Sequence, residues 1–119
     1  MKNKYIFNFT FLICIFNLIT AYSDTIKISS DKLNVYRDSN ISVFSGNVYA
    51  EDDAIKLWSD KISIFYDEIN KSMYEIIAED NIKIIVNGVT AYGNFSKYQI
   101  DNDEILLNGD VVVIENDNK

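Results

Sequence analysis

From Ile26 onward apolar side chains recur at every second position, the period of a half-buried β-strand. Ile26 and Ile28 share a face, and Leu33 and Val35 do so in the next segment. Ile55 and Leu57 follow, then Ile62, Ile64 and Tyr66, then Ile82, Ile84 and Val86. Most of these residues are β-branched or aromatic and suit a pleated surface. Within 41–50 two registers compete: Ile41 and Val43 point one way, Phe44, Gly46 and Val48 the other. The run Val111, Val112, Val113, Ile114 is apolar on both faces. Helical periodicity is almost absent after Asp24.

Polar breaks stand at Asp38-Ser39-Asn40, Glu51-Asp52-Asp53, 67–72, Asn87-Gly88 and 101–104. Asn-Gly between two alternating runs is a strong signal for a two-residue hairpin. Strands of about five to eight residues joined by such turns predict an all-β sandwich, roll or barrel.

Two short elements alternate along the chain. A Ser-Asp-Lys type occupies 29–33, 58–62 and, more loosely, 92–96; a Gly-Asn-Val type occupies 46–48, 80–82 and 109–111. Copies of each type lie 29 to 34 positions apart, the spacing of stacked units that bury their apolar faces on one another. Each Ser-Asp-Lys copy is expected at the mouth of a strand, where a short polar side chain bonds nearby backbone. Gly46 and Gly109 are expected to allow close approach or a bulge.

The order IKISSDKL at 26–33, then FSGNVYAEDDAIKLWSDKISIFY at 44–66, resembles the LptA (OstA-like) periplasmic proteins of lipopolysaccharide transport. AEDNIKI, AYGNFSKY and LLNGDVVV at 78–84, 91–98 and 106–113 look like further copies, with Asp80 where the family has Gly. The resemblance spans nearly all of 26–114. It implies an OstA-like β-jellyroll of stacked antiparallel strands, open at both ends, over 24–119. It also implies a non-catalytic bridge that shelters the acyl chains of lipopolysaccharide (lipid A) between inner and outer membrane. The implied partners are an inner-membrane LptC-like protein, an outer-membrane LptD-like protein and further copies of the chain, head to tail. A membrane-anchored LptC-like component and a plain structural or adhesive β-domain stay open beside this reading.

The first 23 residues read differently. Lys2 and Lys4 precede an apolar run from Tyr5 to Ile19, and Ala21-Tyr22-Ser23 places small residues before Asp24. This is the pattern of a secretory signal peptide, here expected over 1–23, and it fits a periplasmic destination in a Gram-negative bacterium. The only cysteine, Cys14, lies within it, so no disulfide is expected beyond. Losing Lys2 and Lys4 leaves nine bases against 18 acids, a net charge of −9. Such an acidic chain is a poor match for nucleic-acid phosphates, yet it can still bind lipid through apolar surface.

The chain has no histidine and no proline. The commonest general base and metal ligand is therefore missing, and we expect no enzyme, no metal site and no cofactor. The acidic runs 51–53 and 101–104 match no calcium-loop spacing and read as soluble hairpin tips. Ile26, Ile28, Phe44, Val48, Ile62, Ile64 and Tyr66 have two readings. From alternation alone they form a closed core; under the resemblance they line a lipid groove. Ile26 and Ile28 at one edge and Val111, Val112, Val113 and Ile114 at the other are candidate interface positions. Nothing but Lys27 blunts those edges, which favours strand addition between subunits.

Overall fold

The computed structural model describes residues 4–6 and 26–115. The leader expected over 1–23 lies outside the described residues except for its 4–6 segment. The strands are β1 (Lys4–Ile6), β2 (Lys27–Ser29), β3 (Lys32–Tyr36), β4 (Ile41–Glu51), β5 (Ile55–Tyr66), β6 (Met73–Val86), β7 (Val89–Gln99), β8 (Glu104–Asn108) and β9 (Val112–Glu115). All pair antiparallel in one sheet of order β1-β3-β4-β5-β6-β7-β8. β2 continues beside β4, and β9 beside β7. The described residues contain no helix, and the architecture is the expected β-jellyroll of stacked antiparallel strands.

Each of the four long strands is broken at the same level by a shift of register, which divides the sheet into two leaves. The first leaf holds β2, the 48–51 part of β4, 55–59 of β5, 82–86 of β6, 89–93 of β7, and β9. The second holds β3, 41–45 of β4, 61–66 of β5, 73–79 of β6, 95–99 of β7, and β8. Buried residues from both leaves form a single core, so the leaves pack face to face.

The two repeated elements are two ways of making this bend. At the Gly-Asn-Val copies two consecutive residues adopt positive φ: Gly46 (84°) and Asn47 (50°), Asp80 (71°) and Asn81 (53°), Gly109 (86°) and Asp110 (50°). Two extra residues leave the alternation in phase, so Ser42 and Phe44 point inward before the bend, and Val48 and Ala50 after it. This decides between the two registers of 41–50, with Ile41 and Val43 on the outer side. At the Ser-Asp-Lys copies the alternation changes phase: Ser59 and Ile62 are both buried, and so are Ile28 and Leu33. Asp60 stands alone opposite the Gly46-Asn47 pair, and Asn94 opposite Asp80-Asn81.

Polar side chains join the bends across neighbouring strands. Asn47 Nδ2 donates to Asp31 Oδ2 (3.1 Å), and Asn81 Nδ2 donates to Asp60 Oδ2 (2.8 Å). The Asp31 N–H donates to the Gly46 carbonyl (2.9 Å). Ser30 and Ser59 each donate to the carbonyl of the lysine two residues on, at 3.0 and 3.1 Å. Only the first Ser-Asp-Lys copy lies between strands. β5 runs through Asp60, and β7 through Asn94, so the motif bends a strand more often than it opens one. Glycine is required at Gly46, where φ is positive and a Cβ would lie 2.7 Å from Asp31 Oδ2. At Gly93 the reason is space: a Cβ would lie 2.6 Å from Leu107 Cδ1.

The hairpin expected at Asn87-Gly88 is present, with φ of 51° and 77° between the paired Val86 and Val89. Positive φ at both central residues is the type I′ turn that suits strand twist.

Two substitutions test the bend. Gly46→Ala is expected to cost about 2 kcal/mol from the left-handed backbone and the clash with Asp31. Asp80→Gly should stay within about 0.5 kcal/mol of the parent, because glycine accepts that φ freely. Asp80→Val should lose roughly 1–2 kcal/mol. Urea unfolding midpoints, with unchanged slopes, read all three.

Candidate functional site

Between the leaves an apolar cleft opens near the β4–β5 turn. Ile26, Ile28, Ala50, Ile55, Leu57 and Ile84 form its wall on the first leaf. Ile62, Ile76, Ala78, Ser96, Tyr98 and Ile105 form the wall on the second. The cavity within it that a water-sized sphere can occupy is about 60 Å³. Cross-strand register explains the second wall: Ile62, Ala78 and Ser96 are direct partners in one row, and Ile76, Tyr98 and Ile105 in the next. Ala50, Ala78 and Ser96 are small residues on walls otherwise built from larger side chains, and their size leaves the space.

Asp52, Glu51 and Tyr98 at the cleft each have a hydrogen-bond partner. Asp52 Oδ1 accepts the N–H groups of Ala54 and Ile55, both at 2.8 Å, and so shapes the turn. Glu51 Oε1 accepts the Tyr49 hydroxyl at 2.6 Å. That bond, with lesser help from desolvation, holds the Tyr49 phenol above its usual 10.0. The Tyr98 hydroxyl donates to Asp103 Oδ1 at 3.1 Å. Among the described residues no three His, Cys, Asp or Glu side chains gather as metal ligands do. The arrangement offers burial and little polar contact, which suits hydrocarbon chains.

The seven residues assigned to a groove from the sequence divide into three groups. Ile26, Ile28 and Ile62 stand on the cleft wall. Phe44, Val48 and Ile64 lie in the packed core beside it. Leu33, Phe44, Val48, Ile62 and Ile82 are each 2 % exposed or less, so the middle of the molecule is filled. Tyr66 lies toward another mouth, with Arg37, Asn40, Ser42 and Lys71. There Lys71 Nζ donates to Asn40 Oδ1 at 3.3 Å. Burial raises the Tyr66 phenol above 10.0, and a hydrogen bond with Ser42 offsets part of the rise.

The sequence reading missed Ala50, Ile55, Leu57, Ile76, Ala78, Ile84, Ser96, Tyr98 and Ile105 as wall residues. Alternation placed Ile84 on a buried face. It could not say which buried positions line the space, because that depends on partners in other strands. Of the candidate interface positions, Val111, Val112, Val113 and Ile114 are all exposed, between 46 % and 61 %. β9 pairs only with β7 and β2 only with β4 among the described residues, so each leaves one edge open.

The model of the LptA/(LptD N-terminal domain) LPS transport proteins matches residues 27–119, across both leaves and every bend. The chain belongs to that family. Comparison with curated proteins gives no match. Among solved structures, the chain is similar to LptH from Pseudomonas aeruginosa, described as the LptA homologous periplasmic component of the conserved lipopolysaccharide transport device. Identity there is 13%, over 77% of this chain and 95% of that one, with a TM-score of 0.41. The overlay is loose, and membership of the LptA/LptD N-terminal domain family rests on the family match.

Two outcomes follow from this geometry. Ile62→Ala, at a fully enclosed position, is expected to cost about 2–5 kcal/mol, whereas Ile105→Ala on the cleft rim should cost under about 1 kcal/mol; urea unfolding separates them. The buried Tyr66 phenol binds its proton more tightly in the folded state than in the unfolded one. Its contribution to stability is therefore full below the unfolded value near 10.0 and is lost as pH rises through the higher folded value. Tyr66→Phe should flatten the fall in unfolding free energy above pH 10.

Proposed function

We propose that this chain is a periplasmic lipopolysaccharide-binding bridge protein that carries the lipid from the inner toward the outer membrane without catalysis. The observation that carries the reading is the cleft between the leaves, lined almost wholly by apolar side chains and open to solvent, in a member of this family. Acyl chains entering it gain roughly 0.8 kcal/mol for each CH₂ removed from water. Ile26 makes first contact at the mouth, with Ile28 and Ile62 deeper on the wall. Phe44, Val48 and Ile64, which fill the middle, separate as the leaves part to let a chain move on, and Tyr66 stands on the side toward which the chain moves. The energy for directional movement is supplied elsewhere in the pathway.

The open edges supply the assembly. In this reading the backbone of 26–28 accepts a strand from a membrane-anchored LptC-like partner or from a preceding copy. The backbone of 111–114 adds to the next copy or to an LptD-like partner. Such a contact uses different surfaces on the two sides and builds open, head-to-tail filaments. The exposed apolar side chains on β9 favour a covered edge over a bare one.

A photo-reactive residue placed at Ile26 or Ile105 should capture lipopolysaccharide in cells, and one placed at Ile77, on the outer side of β6, should not. Folded protein with no lipid adduct at either cleft position would remove the groove reading. Val112→Lys with Ile114→Lys should abolish concentration-dependent oligomers while leaving the circular dichroism spectrum unchanged. Oligomers that survive this double change would remove β9 as the joining edge.

A further inference from the structure

The outer face of the first leaf carries a charge and an aromatic content that the lipid cleft does not use. Side chains opposite Ile28, Ala50, Leu57 and Ile84 point away from the core. One row runs Tyr49, Trp58, Lys83, Tyr92 through direct cross-strand pairs, and the next runs Lys27, Glu51, Lys56. The Tyr49 and Trp58 ring centroids are 4.9 Å apart, tilted by 47°. Lys83 Nζ sits 5.0 Å from the centre of the Trp58 ring. Tyr92 is 39 % exposed at the far side of the same row.

The charge of this face opposes that of the molecule. The whole chain carries −7, yet these two rows hold three lysines and one carboxylate. That carboxylate, Glu51, is engaged by the Tyr49 hydroxyl. On the outer face of the second leaf acids answer the lysines instead: Lys61 pairs with Glu79 at 3.6 Å, and Glu75 and Glu104 lie further along. The net positive field is thus local to the aromatic face, and clustered charge of one sign attracts an oppositely charged ligand.

We propose that this face binds the phosphorylated saccharide of a glycolipid, with Tyr49, Trp58 and Tyr92 packing on sugar rings and Lys27, Lys56 and Lys83 holding the phosphates. This rests on the glycolipid reading of the cleft and extends it from the acyl chains to the headgroup. Aromatic rings cover the apolar C–H face of a sugar at small entropic cost, and the polar tips of Trp58 and Tyr92 can meet its hydroxyls. Lysine serves a phosphate as a mobile point charge.

Trp58 is the only tryptophan, so the site contains its own reporter. The purified protein is titrated with the phosphorylated oligosaccharide of lipopolysaccharide, freed of every acyl chain, and Trp58 fluorescence is followed. A saturable change is expected, weakening as salt is raised. Lys56→Ala with Lys83→Ala should weaken binding roughly ten-fold or more, as should enzymatic dephosphorylation of the glycan. Ile77→Ala, on the outer side of β6 in the second leaf, should leave it unchanged. No saturable change, or one indifferent to the lysines, would overturn the proposal. So would an equal response to inorganic phosphate alone, or to anionic phospholipid vesicles without sugar. A Trp58 change that depends on protein concentration without glycan would identify a second copy as the occupant and also overturn it. Because the probe lacks acyl chains, its failure leaves the cleft reading untouched, and a missing lipid adduct at Ile26 leaves glycan binding to be read separately.

Discussion

Strands of 11 to 14 residues, left flat, would run for roughly 36 to 46 Å and present an apolar face with nothing to pack on. The bend at mid-strand removes that difficulty. Consecutive left-handed residues at Gly46-Asn47, Asp80-Asn81 and Gly109-Asp110 turn one part of the sheet onto the other. Because every strand bends at the same level, the bends form a line across the sheet. The Asn47–Asp31 and Asn81–Asp60 bonds hold neighbouring strands together along it. Core, cleft and open edges all depend on that line. Without it Phe44 and Val48 would have no facing leaf to bury them.

The inward face beside the bend carries two tasks, divided from strand to strand. Near it, where the leaves converge, Leu33, Phe44, Ile62 and Ile82 fill the interior completely. Across the sheet in the same row, where Ala78 and Ser96 stand beside Ile62, and at Ala50 on the facing leaf, the inward face leaves room. A protein with no disulfide among its described residues gains its stability from the first region and can leave the second unfilled. The inner face is therefore one continuous apolar surface, part core and part cleft. A lipid occupying it would extend contacts that the protein already makes with itself.

The outer surface follows a different logic. Most of the carboxylates stand in turns and on the second leaf, where they keep an acidic protein soluble. The first leaf turns Tyr49, Trp58 and Lys83 outward in one row at contact distance. Since these residues come from β4, β5 and β6, their proximity is a property of register and not of any local motif.

The sequence by itself determined a good deal. Period-two alternation located β2 to β5 and the 82–86 part of β6. It predicted strands of about five to eight residues, where four run for 11 to 14 through their bends. Asn87-Gly88 located its hairpin, and the alternating motifs showed that one unit recurs. Those features are local, set by backbone preference and by which side of a strand is apolar. Tertiary structure decided the rest. Both registers of 41–50 are sound strands taken alone, and only the two extra residues of the Gly46 bend, set against Asp60, turn Phe44 and Val48 inward together. Asp60 looked like the start of a strand because a short polar residue is common there, yet β5 continues through it. The division of inward residues into core and cleft depends on whether the facing leaf presents isoleucine or alanine. That is settled by partners distant in the chain, such as Ile62 with Ala78 and Ala78 with Ser96. No stretch of sequence contains that information, because packing is a relation between strands that only folding brings together.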